Sequence, residues 1–160
     1  MTQPVSPDPQ QWQINFRVDG RVICSTVEPR LSLADHLRED LGVTAVRVGC
    51  EQGVCGSCTV MLDGVSARAC CTLAVQVDGA EVETVVGLAD ELEAVRAAFT
   101  RNFAIQCGFC ASGVLVTAAE FLRTHPTATE SEIRAMLSGT ICRCTGYEGM
   151  VQALLELASG

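Results

Sequence analysis

Cysteine placement constrains this chain more than any other feature: ten cysteines occur in 160 residues, and most stand at short, fixed spacings. In GTICRCTG, residues 139–146, only Arg143 separates Cys142 from Cys144. A disulfide between them would close a small strained ring. A shared metal or cluster is the easier reading, and it requires further ligands. Cys107 and Cys110 of CGFC provide them in the same half of the chain. Cys50, Cys55, Cys58 and Cys70 form a second set in the first half, leaving Cys24 and Cys71 over. In a 2Fe-2S cluster each iron is tetrahedral and already carries two bridging sulfides, so the protein supplies two thiolates per iron and four in all. Two sets of four fit two clusters.

The first set, GCEQGVCGSC, has C-x4-C-x2-C spacing, and Cys70 follows later in the chain. This is the plant-type ferredoxin pattern. Gly49, Gly53 and Gly56 suit a loop that turns its backbone amides toward cluster sulfurs. Zinc is the rival ligand, but structural zinc sites favour paired C-x2 to 4-C spacings over an isolated three-cysteine loop. Cysteines so placed fit a reducing cytoplasm better than a disulfide framework. The start, MTQPVSPDPQQWQ, has neither the basic and apolar regions of a signal peptide nor a twin arginine. No apolar stretch is long enough for a membrane span; the best candidate, GVLVTAAEFL, stops at Arg123. A net charge of −8 argues against nucleic acid, whose phosphates would repel it. A hydrophobic content of 48% suffices for packed cores.

Periodicity divides the chain near residue 86. WQINFRV alternates, placing Trp12, Ile14, Phe16 and Val18 on one side; Asp19-Gly20 forms a hairpin turn and RVICSTV returns. LSLADHLREDLG predicts a helix with a Ser32–Asp35 capping box, a face of Leu33, Leu37 and Leu41, and a stop at Gly42. CTVMLDG, VSARAC, TLAVQVDG and AEVETVV predict short strands of a small mixed sheet. Beyond them, DELEAVRAAFTRNF has helical spacing, and Ala111 to Leu122 is apolar almost all round, as in a helix buried within a bundle. His125-Pro126 ends that helix. Thr129 and Glu132 form a capping box for a short helix to about Leu137, and Met150, Val151, Leu154, Leu155 and Ala158 give the apolar face of a last one. CGFC then sits at the start of the central helix and CRC in the turn between the last two. Side-by-side helix pairs would bring them together as one four-thiolate socket.

C-x4-C-G-x-C, CGFC and LSGTICRCTGY together resemble, over nearly the whole chain, the iron-sulfur (small) subunit of the molybdenum hydroxylases. That group contains xanthine dehydrogenase, aldehyde oxidoreductases, carbon monoxide dehydrogenase and the bacterial N-heterocycle hydroxylases. The resemblance implies an α+β fold: a plant-type ferredoxin-like (β-grasp) domain over residues 11–86, then a four-helix domain over 87–160. It implies two 2Fe-2S clusters, held by Cys50, Cys55, Cys58 and Cys70 and by Cys107, Cys110, Cys142 and Cys144. It implies partners too: a large subunit that holds a molybdenum-pterin cofactor and hydroxylates substrate, and a medium subunit that binds FAD. Electrons would pass singly through the clusters. The helical-domain cluster would lie nearer the molybdenum, with Gln106 and Cys144 touching the pterin, and no residue of this chain would be catalytic. The usual CGFCTPG stands here as CGFCASG, so Ala111 and Ser112 must open the helix in place of threonine and proline.

Cys70 and Cys71 are adjacent; in a strand they would point to opposite faces, and spacing favours Cys70 as the ligand. Cys24 and Cys71 read as packing residues, and His36 and His125 as exposed helix residues without a chemical role. Two other functions share part of the pattern. A free-standing ferredoxin carrier has no need of a second buried cluster. The iron-sulfur subunit of a succinate dehydrogenase type enzyme continues with C-x2-C-x2-C motifs, which this sequence lacks.

Overall fold

The computed structural model describes residues 11–158; the start of the chain, read above as lacking a signal peptide, lies largely outside them. Strand β1 (Trp12–Val18) and β2 (Arg21–Val27) form an antiparallel hairpin. Both turn residues, Asp19 and Gly20, have positive φ, the geometry that matches strand twist. Ile14, Phe16 and Val18 are buried, whereas Trp12, on the same face, overhangs the end of the core and is exposed. Strands β3 (Thr59–Leu62) and β4 (Val65–Arg68) make a second hairpin through Asp63-Gly64, and β5 (Glu81–Glu83) lies between the hairpins. The order is β2-β1-β5-β3-β4, with β1 and β5 parallel, so the sheet is mixed as expected. Asp19 ties the first hairpin to the chain beyond β5, accepting from the Thr84 amide at 2.7 Å and hydroxyl at 2.9 Å.

Three expectations need correction. TLAVQV is not a strand but contains a 3-10 turn over Ala74–Val77, which buries Ala74 and Val77 and leaves Leu73 exposed. Gln76 closes it by accepting from the Leu73 amide at 2.8 Å, a local bond that competes with sheet pairing. The segment after Ser32 begins as α1 (Leu33–Asp35), with Ser32 accepting from the Asp35 amide as its cap, but widens into a π turn over His36–Asp40. Leu41, beyond the wider turn, still packs against the core that Leu33 and Leu37 enter, half-buried at its edge. Finally, Ala69–Cys71 form a 3-10 turn after β4, so Cys70 and Cys71 are not strand neighbours.

The helical part holds α2 (Glu93–Arg101), α3 (Ala111–Thr124), α4 (Glu130–Leu137) and α5 (Glu148–Ala158). Thr129 and Glu132 make the expected reciprocal capping box. Ala111 opens α3 without help from a proline. Two apolar cores result. One joins Ile14, Phe16, Leu33, Leu37, Val60 and Val82, and the other joins Phe99, Val114, Val116, Ile133, Met150 and Leu154. Met61 of β3 is fully buried in the second, so the sheet and the helices share a packed boundary. Among the described residues no helix is long and apolar enough to cross a membrane.

Candidate functional site

The loop between the π turn and β3 carries the first cysteines. Gly53 and Gly56 adopt positive φ, and the amides of Gln52 and Cys55 each reach the Cys50 sulfur at 3.4 Å. These amides, Cys55 first, lower the Cys50 pKa to about 7 by favouring its thiolate. Cys55 interacts with Cys50 through its side chain, and Cys70, delivered by the 3-10 turn after β4, interacts with Cys58. Burial pushes Cys58 up to about 11.

The second set assembles as CGFC meets CRC. The Cys107 and Cys144 sulfurs are 3.5 Å apart, and Cys110, at the N-terminal end of α3, interacts with Cys142. Burial raises Cys110 to about 12. Burial opposes ionisation of Cys142 as well, but bonds from Thr145 and the Cys144 amide outweigh it and the net shift is downward. Tyr147 staples the CRC turn: its hydroxyl accepts from the Cys142 amide at 2.8 Å and donates to the Thr140 carbonyl at 3.2 Å. Among the described residues no three His, Cys, Asp or Glu side chains gather as a site for a single metal ion. The thiols stand in pairs.

The two cysteine loops touch. The Ile141 amide, next to Cys142, donates to the Cys55 carbonyl at 2.9 Å. A Cβ on Gly49 would lie 3.1 Å from the ring of Phe109 and 3.3 Å from the Cys55 sulfur. Phe109, within CGFC, therefore rests on the ferredoxin-like loop. Neither contact is visible in the spacing of the cysteines, because both depend on how the two halves dock. Gln106 and Cys144 are exposed in the same loops, near Phe103, which is 86% exposed, and Ile141, which is 51% exposed.

The cysteines and histidines outside the sets depart from expectation. Cys24 and Cys71 are exposed, so neither is a packing residue. Cys71 lies 3.7 Å from Cys70, sulfur to sulfur, and over Gly53, where an added Cβ would fall 2.9 Å from its sulfur. His125 is exposed and stacks on Phe121. His36 is instead fully buried beside Phe16; its Nδ1 meets Asp40 at 2.7 Å and its Nε2 has no hydrogen-bond partner. Its amide donates to the Ser32 carbonyl at 3.0 Å, so ordinary helical spacing sets it one turn after Leu33, beside the buried face.

Two family models match the chain: a 2Fe-2S iron-sulfur cluster binding domain over residues 5–98 and a 2Fe-2S binding domain over residues 84–155. The nicotine 6-hydroxylase small subunit of Paenarthrobacter nicotinovorans is 45% identical over 157 residues, covering 98% of this chain and 94% of that one. The caffeine dehydrogenase subunit gamma of Pseudomonas sp. (strain CBB1) is 42% identical over 150 residues, covering 91% and 90%. The crystal structure of quinoline 2-oxidoreductase from Pseudomonas putida 86 superposes with a TM-score of 0.87 at 46% identity, over 93% of both chains. With two 2Fe-2S binding domains in tandem and these relatives along nearly its full length, the chain belongs to the iron-sulfur subunits of the molybdenum hydroxylases.

Proposed function

We propose that this chain carries electrons one at a time from a molybdenum-pterin site on a large subunit, through two 2Fe-2S clusters, towards FAD on a medium subunit or another acceptor. The ferredoxin-like domain is taken as residues 11–86 and the helical domain as 87–160, in keeping with the two apolar cores. Cys50 and Cys55 would hold one iron of the first cluster, with Cys58 and Cys70 on the other. Cys107 with Cys144, and Cys110 with Cys142, would hold the second cluster in the same way. The paired thiols support this reading, because a binuclear core takes two thiolates at each iron. Each cluster, when bound, supplies a one-electron couple; the chain supplies thiolates, amide donors and a packed surround that tune it.

The observation that carries the proposal is the Ile141–Cys55 hydrogen bond, which joins the backbones of the two cysteine loops. A free carrier needs no such junction. Gln106 and Cys144 would meet the pterin, and their exposure beside Phe103 and Ile141 suits a face covered by the large subunit. Unbridged thiols at cluster spacings suit a cytoplasmic location.

Purification of the native complex tests the reading. Iron and acid-labile sulfide should match two 2Fe-2S clusters per chain, with two distinct electron paramagnetic resonance signals on reduction. Turnover assays with an artificial acceptor should start from N-heterocycles, because nicotine, caffeine and quinoline appear in the relatives' names. A colourless preparation holding only zinc would overturn the proposal.

A further inference from the structure

Around Gly56 and Gly113 the boundary between the two halves has no room for an added side chain. A Cβ on Gly56, between Cys55 and Cys58, would fall 2.5 Å from the Gly139 carbonyl oxygen and 2.8 Å from the Thr140 hydroxyl. A Cβ on Gly113, in the first turn of α3, would run into the Gly56 carbonyl. Backbone therefore lies directly on backbone. Such contact fixes how closely the halves approach, but a carbonyl oxygen set against a glycine Cα contributes only weak attraction.

Arg68 provides attraction at this boundary. It stands at the end of β4, two residues before Cys70, and is partly buried. Its Nη2 donates to the Gly139 carbonyl at 2.6 Å, across the boundary and three residues before Cys142. Its Nη1 donates to the hydroxyl of Thr59, which in turn donates to the Gly56 carbonyl at 2.6 Å. One planar guanidinium thus grips the ferredoxin-like loop with one nitrogen and the approach to CRC with the other. Lysine, a point charge with no fork, cannot reproduce both directions. Bonds from a charged donor are about twice as strong as neutral ones.

We propose that Arg68 is a positioning residue that sets the separation of the two clusters by clamping the Gly139 carbonyl against the Gly56–Thr59 turn. The inference rests on the two-cluster reading above. With the clamp removed, the Ile141–Cys55 bond remains, but Gly139 loses this donor and the halves can part along the glycine contacts.

The test uses the assembled enzyme. In its fully reduced form the two paramagnetic clusters split each other's resonance lines, and the splitting falls steeply with distance. In Arg68→Lys and Arg68→Gln the splitting should narrow and electron transfer between the clusters should slow. Spectra recorded with only one cluster reduced should keep their g-values, and iron content should be unchanged. Should the glutamine variant lose iron, the lysine variant carries the test. Gly113→Ala, which wedges the boundary open without altering charge, should narrow the splitting in the same way. Wild-type splitting in the Arg68 variants, even with shifted cluster potentials, would mean that Arg68 acts through its charge and would overturn the inference. A wild-type complex without two cluster signals would instead sink the two-cluster reading itself.

Discussion

At the scale of the residue, the thiols of each set are unlike one another. Amide donors bring Cys50 to about 7, while burial holds Cys58 near 11 and Cys110 near 12. At neutral pH the first ionises far more readily than the other two, which stay protonated. Iron must therefore displace protons from the buried members. When the iron-depleted chain is alkylated near pH 7.5 and followed by mass spectrometry, Cys50 should react before Cys58 and Cys110, since the thiolate is the nucleophile; simultaneous modification would contradict the assignment. Cys70 and Cys71 call for a separate test, because the turn that holds them leaves their sulfurs 3.7 Å apart. Cys70 is the one in contact with Cys58. Cys71→Ala should keep its full iron content, and Cys70→Ala should lose the ferredoxin-like signal. The reverse pattern would exchange their roles.

At the scale of the element, what is legible in the sequence is what local chemistry decides. The Asp-Gly turns, the Thr129–Glu132 box and the placement of CGFC and CRC at helix ends follow from residue types a few positions apart. TLAVQV has the alternation of a strand and still forms a 3-10 turn, because Gln76 closes it locally. His36 reads as exposed by residue type, yet it follows Leu33 by one helical turn and is buried with it. Spacing singles out the eight thiols proposed as ligands, but Phe109, Ile141 and Arg68 are not visible in it, since each acts across a contact between distant segments, and neither is Tyr147, whose bonds to Cys142 and Thr140 depend on the shape of the CRC turn. The same division predicts a response to metal loss. Segments that rely on the thiols, residues 49–58 and the CRC turn, should lose amide protection when iron is removed, whereas α3, with Val114, Val116, Ala118 and Ala119 buried, should keep it. Hydrogen exchange on both forms measures this directly. Unchanged protection in both loops would show that the fold holds them without the clusters.

At the scale of the whole molecule, two docked cores bring the two cysteine loops together, and the direction proposed for electron flow between them can be tested. The exposed loops with Gln106 and Cys144 lie at one end of the proposed path, and the contact between Ile141 and Cys55 lies within it. If the helical cluster receives electrons first, replacing a thiol of that socket should isolate the cluster beyond it. In a Cys144→Ala complex that still assembles, substrate should leave the ferredoxin-like cluster oxidised on the turnover timescale. In Cys55→Ala the helical cluster should still be reduced by substrate, with the block falling after it. Thiolate ligation and nearby hydrogen bonds set cluster potentials, so each change should also remove or strongly shift one resonance signal and leave the other in place. Rapid freezing after substrate addition, with both signals followed by electron paramagnetic resonance, distinguishes the two variants. A Cys144→Ala enzyme that reduces both clusters at the normal rate would mean that the CRC loop is off the path and that electrons enter through the ferredoxin-like loop.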